Sequence, residues 1–304
     1  MAANEGKPVA TKKKSAKKSA KKAAPVWSDA STSLLKVTAG FVLDTLDTRS
    51  TPGFTGGKAA AETPAGVAAA ALAETQELLF ANSRKGDNRK VLLILQGMDT
   101  AGKGGIVRHV MGAVDPQGVS LHAFKAPTPA ELRHDFLWRV RRQVPAAGMI
   151  GVFDRSHYED VLIGRVKQLA PPAELKKRYA LINAFEQELV DDDTTVIKVL
   201  LHISASEQKQ RLLQRLDRPD KHWKYSPADV DDRLLWPRYQ AAYQAVLERT
   251  ATPQAPWYVV PADRKWYARL AVRQLVLKAL HDMQLSWPPA DFDVAGERAR
   301  LAAS

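Results

Sequence analysis

Apolar residues along this chain arrive in short unbroken runs, and each run is followed by a stretch with helical spacing. The runs are KVLLILQ (90–96), VSLHAFK (119–125), MIGVFD (149–154), TTVIKVLLHIS (194–204) and WYVVPA (257–262). A strand that is apolar on both faces is covered on both faces, which is the habit of a parallel sheet between helices. Ile106, Val107, Val110 and Met111 recur at helical spacing after the first run, and helices are predicted over about 157–168, 173–190 and 264–283. Thr63-Pro64 predicts a helix start, with Thr as N-cap and Pro in the first turn, and Gly86 is its stop. Thr128 to Glu131 reads as a capping box opening a helix through AELRHDFLWRVRRQV, and Ser204 to Glu207 as another, opening a helix that runs to Pro219. Ser226-Pro227 starts the next long helix. Alternating strands and helices predict a three-layer α/β/α domain with a five-stranded parallel sheet.

The first strand runs directly into GMDTAGKGG, residues 97–105. Between a buried strand and a helix, this is the pattern of a phosphate-binding P-loop. Gly97 and Gly102 permit backbone angles that turn successive N–H groups inward, the following helix contributes its positive N-terminus, and Lys103 reaches phosphoryl oxygens. Ala101, Gly104 and Gly105 complete the cradle. A Ser or Thr hydroxyl would ordinarily follow the lysine and hold Mg²⁺, but Gly104 stands there. A carboxylate, Asp99, sits inside the loop instead. The fold class is therefore read as a P-loop kinase fold with a helical lid.

The third run ends in Asp154, where an aspartate has no packing use; in P-loop folds that position faces the metal beside the phosphates. The plainer alternative is a helix N-cap. Arg155 follows at the edge of the same cleft, with a surface ion pair as its alternative. His157 reads as a packed or capping residue before a proton shuttle, and Glu159 and Asp160 suit a helix N-terminus whatever their role. Mg²⁺ takes hard oxygen ligands, so Asp99 and Asp154 are the expected metal ligands, for one or two ions. Mn²⁺ is the alternative ion. The stretch QRLLQRLDRPDKHWKYSPADVDDR (210–233) carries Arg211, Arg215, Arg218, Lys221 and Lys224 around Pro219. Arg211 and Arg215 lie one turn apart on a segment suited to close on phosphoryl oxygens.

Charge sharpens this picture. The 304-residue chain has a net charge of +12, and residues 1–24 alone hold eight Lys and one Glu. That tail has no aromatic residue and little apolar bulk, so it is expected to stay disordered, as a solvated tail or as an arm for polyphosphate or nucleic acid. Cysteine is absent, no apolar run reaches transmembrane length, and no apolar leader opens the chain. The expectation is a cytoplasmic protein with no membrane partner. The layout is a basic tail (1–30), an irregular segment (31–61), a kinase-like domain (62–290) with its lid at about 206–232, and a C-terminal extension (291–304).

LLILQGMDTAGKGG, FDRSHYEDVL and RLDRPDKHWKYSPADVDDR, with DFLWRV and PADRKWYARL, together resemble the second family of polyphosphate kinases over roughly residues 40–285. The resemblance implies a P-loop kinase fold, Mg²⁺, a basic lid, and reversible phosphoryl transfer between inorganic polyphosphate and a nucleotide. It places Asp99, Lys103, Asp154 and Arg155 on metal- and phosphate-binding positions and Arg211 and Arg215 in the lid. It also implies a homo-oligomer, dimer or tetramer. HYEDVL and RPDKHWK look most like the branch that phosphorylates AMP and ADP. Asp154 departs from the Asn frequent in that branch, so AMP and ADP both stand as acceptors. Two rivals remain at this point: an ATP-dependent nucleotide kinase on the same fold, and a non-catalytic polyanion-binding protein.

Overall fold

The computed structural model describes Trp27 and residues 29–304; the predicted basic tail up to residue 26 lies outside the described residues. Five strands form one parallel sheet: β1 (Lys90–Gln96), β2 (Val119–Ala123), β3 (Ile150–Asp154), β4 (Thr194–His202) and β5 (Trp257–Pro261). Their order is β2-β3-β1-β4-β5, so β1 is central. All seven residues of β1 are buried, because its two faces feed different cores. Val91, Leu93 and Leu95 pack towards α2 (Lys58–Ser83), α3 (Lys103–His109) and α10 (Lys265–Asp282). Leu92 and Ile94 pack the other way, towards α5 (Glu159–Val166), α6 (Pro172–Asp191) and α9 (Trp236–Thr250). Each such Leu or Ile stabilises the fold by about 1.5–3 kcal/mol relative to exposure.

The strand register sets the site. Asp154 pairs with Leu95 of β1 on one side and with Ala123 of β2 on the other. Three adjacent strands therefore end level, and the loops after them open on one rim, at the carboxyl edge where open α/β sheets bind ligands. The β5 edge is closed by the N-terminal segment. Lys36 bridges Tyr258 in antiparallel fashion, flanked by Val37 N–H to Trp257 O at 2.8 Å and Val259 N–H to Leu35 O at 2.9 Å. Before it lies α1 (Asp29–Ser33).

Four predicted boundaries differ. The helix expected to start at Thr63-Pro64 starts at Lys58, leaving Pro64 inside it. The alanine-rich opening favours helix strongly enough to absorb the one hydrogen bond that Pro64 cannot donate. The helix predicted through AELRHDFLWRVRRQV is a single 3-10 turn (Glu131–Arg133) and a short α4 (Trp138–Arg141). Its capping box forms, with Thr128 N–H on Glu131 Oε2 at 2.7 Å, but Asp135 then captures Leu137 N–H at 2.9 Å and ends the turn. The fourth strand, expected to reach Ser204, stops at His202, while Ser204 caps α7 (Ala205–Leu216) through Glu207 N–H at 3.1 Å as its capping box predicts. The long helix expected from Ser226-Pro227 is two, α8 (Ala228–Leu234) and α9. Pro237 lacks the N–H that a continuous helix would direct at Arg233. A last helix, α11 (Val294–Ala302), buries no residue.

Candidate active site

The loop after β1 has a conformation only its own sequence allows. Gly97 has φ 151°, and a Cβ there would lie 2.7 Å from the Leu201 carbonyl oxygen. Gly102, with φ 117°, is the left-handed residue that turns the chain into α3. The first-turn N–H groups of α3 therefore face the rim; the first to find a backbone acceptor is Gly105, on Gly102 at 2.8 Å. Lys103 folds back along this loop and donates to Gly97 O at 2.6 Å. Burial, followed by the neighbouring Arg155 guanidinium, lowers the Lys103 ammonium from its ordinary value, against Asp99, Asp154 and Glu159.

Asp99 and Asp154 line one cleft together with Lys103 and Arg155. Arg155 donates from Nη2 to Asp99 Oδ1 at 3.0 Å. The Asp154 carboxylate accepts no hydrogen bond among the described residues; its backbone oxygen takes Phe124 N–H at 3.0 Å. The N-cap alternative for Asp154 is thus not what it does, since α5 begins five residues later. Among the described residues no three carboxylate or imidazole groups gather as a closed metal cage. Two carboxylates on one rim are what Mg²⁺ needs when substrate phosphates and waters complete its shell.

The cleft has a volume of about 840 Å³ and is lined by ten Lys and Arg against three Asp. Ala101, Gly102, Gly104 and Gly105 line it as well, whereas Gly97 faces a smaller recess on the other side of Arg155. Arg211 and Arg215, grouped together as lid residues in the sequence, do different things. Arg211 is buried, with 4% of its surface exposed. Its guanidinium donates to Thr100 O at 2.8 Å and Ala101 O at 3.2 Å in the loop, and to Ala262 O at 2.7 Å and Asp263 O at 3.0 Å after β5. Glu207 neutralises it at 2.8 Å. Arg215 stays at the cleft and ties α7 to the next two elements, through Lys224 O at 3.1 Å and Asp229 at 3.5 Å. Arg218, Lys221 and Lys224, around the 3-10 turn Pro219–Lys224, complete the cationic roof.

Sequence reasoning passed over Arg108, Lys125 and Lys265, all of which line the cleft. Each follows the carboxyl end of a strand, and that rule would have found them. Glu159, left ambiguous, lies in the recess beside Asp99 and Arg155, with its carboxyl pushed up by burial and held by Arg155 and Lys103. His157 is a core residue: it is fully enclosed, and Nε2 lies 3.3 Å from Glu186 Oε1. Glu186 also receives Lys198 at 2.6 Å and Tyr158 OH at 2.7 Å, a charged network beneath the segment that bears Arg155.

The chain as a whole matches known proteins. The family model of polyphosphate kinase 2 matches residues 65–288. An AMP/ADP-polyphosphate phosphotransferase of Meiothermus ruber is 46% identical over 82% of this chain and 91% of its own length. An ADP-polyphosphate phosphotransferase of Rhodopseudomonas palustris is 43% identical over 71% of this chain and 78% of its own. Among solved structures, polyphosphate kinase 2 from Arthrobacter aurescens TC1 superimposes with a TM-score of 0.88 at 59% identity, covering 89% of this chain and 96% of that one. With a P-loop that carries a carboxylate, a second carboxylate at the end of β3 and a basic lid, this chain belongs to the polyphosphate kinase 2 family.

Proposed function

We propose that this protein transfers the terminal phosphoryl group of inorganic polyphosphate to AMP or ADP, and catalyses the reverse exchange. The observation that carries this reading is the cleft's charge: ten cationic side chains run from the P-loop under the lid and along the start of α10. That array suits a polyanion longer than a nucleoside triphosphate tail. The names of the Meiothermus and Rhodopseudomonas relatives support the same donor and acceptors.

Phosphoryl transfer asks a protein for alignment and charge neutralisation. The free N–H groups of α3 and Lys103 hold the donor phosphates. Arg155, one residue beyond Asp154, holds the transferring group from the opposite side. Arg215, Arg218, Lys221 and Lys224 close over it and exclude water. Arg211 does not reach the reacting atoms in this reading; it fixes the loop. The acceptor phosphate is ionised near neutral pH, so no strong general base is required. Asp99 and Asp154 would hold Mg²⁺, which when bound neutralises charge on donor and acceptor oxygens.

The test is phosphorus NMR of the full chain with Mg²⁺, long-chain polyphosphate, and ADP or AMP. Shortening of the polymer with growth of a nucleotide phosphate signal is expected. Turnover with ATP as sole donor, and none with polyphosphate, would replace this reading by an ATP-dependent kinase. Binding of polyphosphate without turnover on any acceptor would leave a polyanion-binding protein.

A further inference from the structure

A second cavity, of about 690 Å³, lies where α5 and α9 end and α6 begins. Three cations converge on it: Arg165 from the last turn of α5, Arg249 from the last turn of α9, and Lys176 near the start of α6. None of the three forms an ion pair among the described residues. The carboxylates nearby are taken by Arg178, which pairs with Asp160 at 3.4 Å and Glu174 at 3.5 Å. Three cations without a carboxylate partner around one concavity offer an anion favourable charge contacts. The twenty-residue α6 starts at the same spot, at Pro171 and Pro172, with Glu174 N–H bonded to Pro171 O at 3.0 Å. Tyr179, 4% exposed, forms part of the wall, with its hydroxyl beside Arg165 and the Arg249 guanidinium 5.4 Å from its ring centre. The remaining wall is Gln168 with apolar Leu169, Ala170, Pro171, Pro172 and Leu175.

We propose that this cavity is a second, non-catalytic nucleotide site. The phosphates meet Arg165, Lys176 and Arg249, and the base packs on Leu169, Pro171 and Leu175. Its volume falls in the range of small-molecule sites, about 300–1,000 Å³. The site is connected to the cleft through rigid parts. α5 begins at Glu159 and carries Arg165 in its last turn, while α9 carries Tyr239 and Tyr243 in the recess with Glu159 and Arg249 in its last turn. Occupancy at one end of this helix pair therefore bears on Glu159 at the other, roughly 9 Å from Arg165 along α5.

The experiment is a calorimetric titration of the full chain with ADP, without polyphosphate. It rests on the proposed function only for its reference site, the cleft. Two equivalents of ADP per chain are expected, and Arg165→Gln/Arg249→Gln should keep one while melting like the parent. Lys103→Ala should keep the other. One equivalent in the parent, unchanged in the double variant, overturns the second site. One equivalent lost in the double variant and kept in Lys103→Ala supports the second site while counting against the cleft. In competition, the second site should prefer ADP to tripolyphosphate by at least tenfold; equal binding of the two overturns its assignment to nucleotides.

Discussion

Arg155 and Asp99 form an ion pair at 3.0 Å across the mouth of the cleft, joining the loop after β1 to the residue after β3. Arg155 does so from a left-handed backbone, φ 64°, a conformation that costs a non-glycine residue about 1–3 kcal/mol. Thr100, inside the loop, is left-handed too, at φ 67°. Both halves of the rim thus hold backbone strain where charge is to be placed, and β pairing and the Arg211 clamp keep them there.

Asp99 serves two partners in this arrangement, Arg155 and the expected metal. Asp99→Asn and Asp154→Asn should each lower kcat by at least ~10²-fold, the scale of a lost transition-state charge contact. Melting temperatures should stay near that of the parent, since neither carboxylate is buried in a core. Steady-state kinetics at several Mg²⁺ concentrations, with a thermal melt for each variant, checks both halves. Parent-like rates in both variants would refute the two-carboxylate metal site.

Arg211 should matter for stability first and for turnover through the loop. Arg211→Ala leaves four backbone carbonyls and Glu207 without their shared partner, so a loss of about 3–5 kcal/mol is expected in urea unfolding. Arg211→Lys should recover little, because one ammonium cannot replace a fork that bonds in two directions. Arg215→Ala should unfold within about 1 kcal/mol of the parent and lose activity instead.

The buried pair of Glu186 and Lys198 gives a double-mutant test. Burial alone would raise the Glu186 carboxyl, but Lys198 and His157 hold it below its ordinary value, so it is ionised in the fold. Lys198→Met strands that charge in the core and should cost about 3–5 kcal/mol. Glu186→Gln with Lys198→Met should recover more than half of the loss. Equal destabilisation of the single and double variants in chemical unfolding would show that the pair is not the source.

His202 predicts the acid behaviour. Burial pulls its imidazole down from 6.5 to about 4, against Asp263 and Asp44. The unfolded chain therefore binds a proton that the folded one refuses. Above pH 6.5 the residue contributes no pH dependence; from 6.5 down to about 4 stability falls, by roughly 3 kcal/mol over the whole window, and below that the loss levels off. Unfolding free energies at pH 7 and pH 5 should differ by about 2 kcal/mol more in the parent than in His202→Gln. An identical pH slope in both would remove His202 as the cause.

The parallel sheet was legible in the chain because a strand covered on both faces has to be apolar throughout, and KVLLILQ, MIGVFD and VIKVLLH are nearly so. The P-loop was legible because its glycines answer a local backbone demand: Gly97 admits no Cβ, and Gly102 needs its left-handed φ. The absence of a membrane-crossing helix among the described residues likewise follows from short apolar runs. Local signals failed where a distant or competing partner decided the outcome. The capping box at Thr128 formed yet opened no helix, because Asp135 took the next N–H. Arg211 and Arg215 share one helix face by spacing, but only the folded chain brings the carbonyls of the loop and of the segment after β5 to Arg211. His157 and Lys198 are polar in the sequence and buried in the structure, since Glu186, nearly thirty residues from His157, arrives to satisfy them. Periodicity and backbone demand are written residue by residue; the partner of a charge is fixed only once the strands are in register.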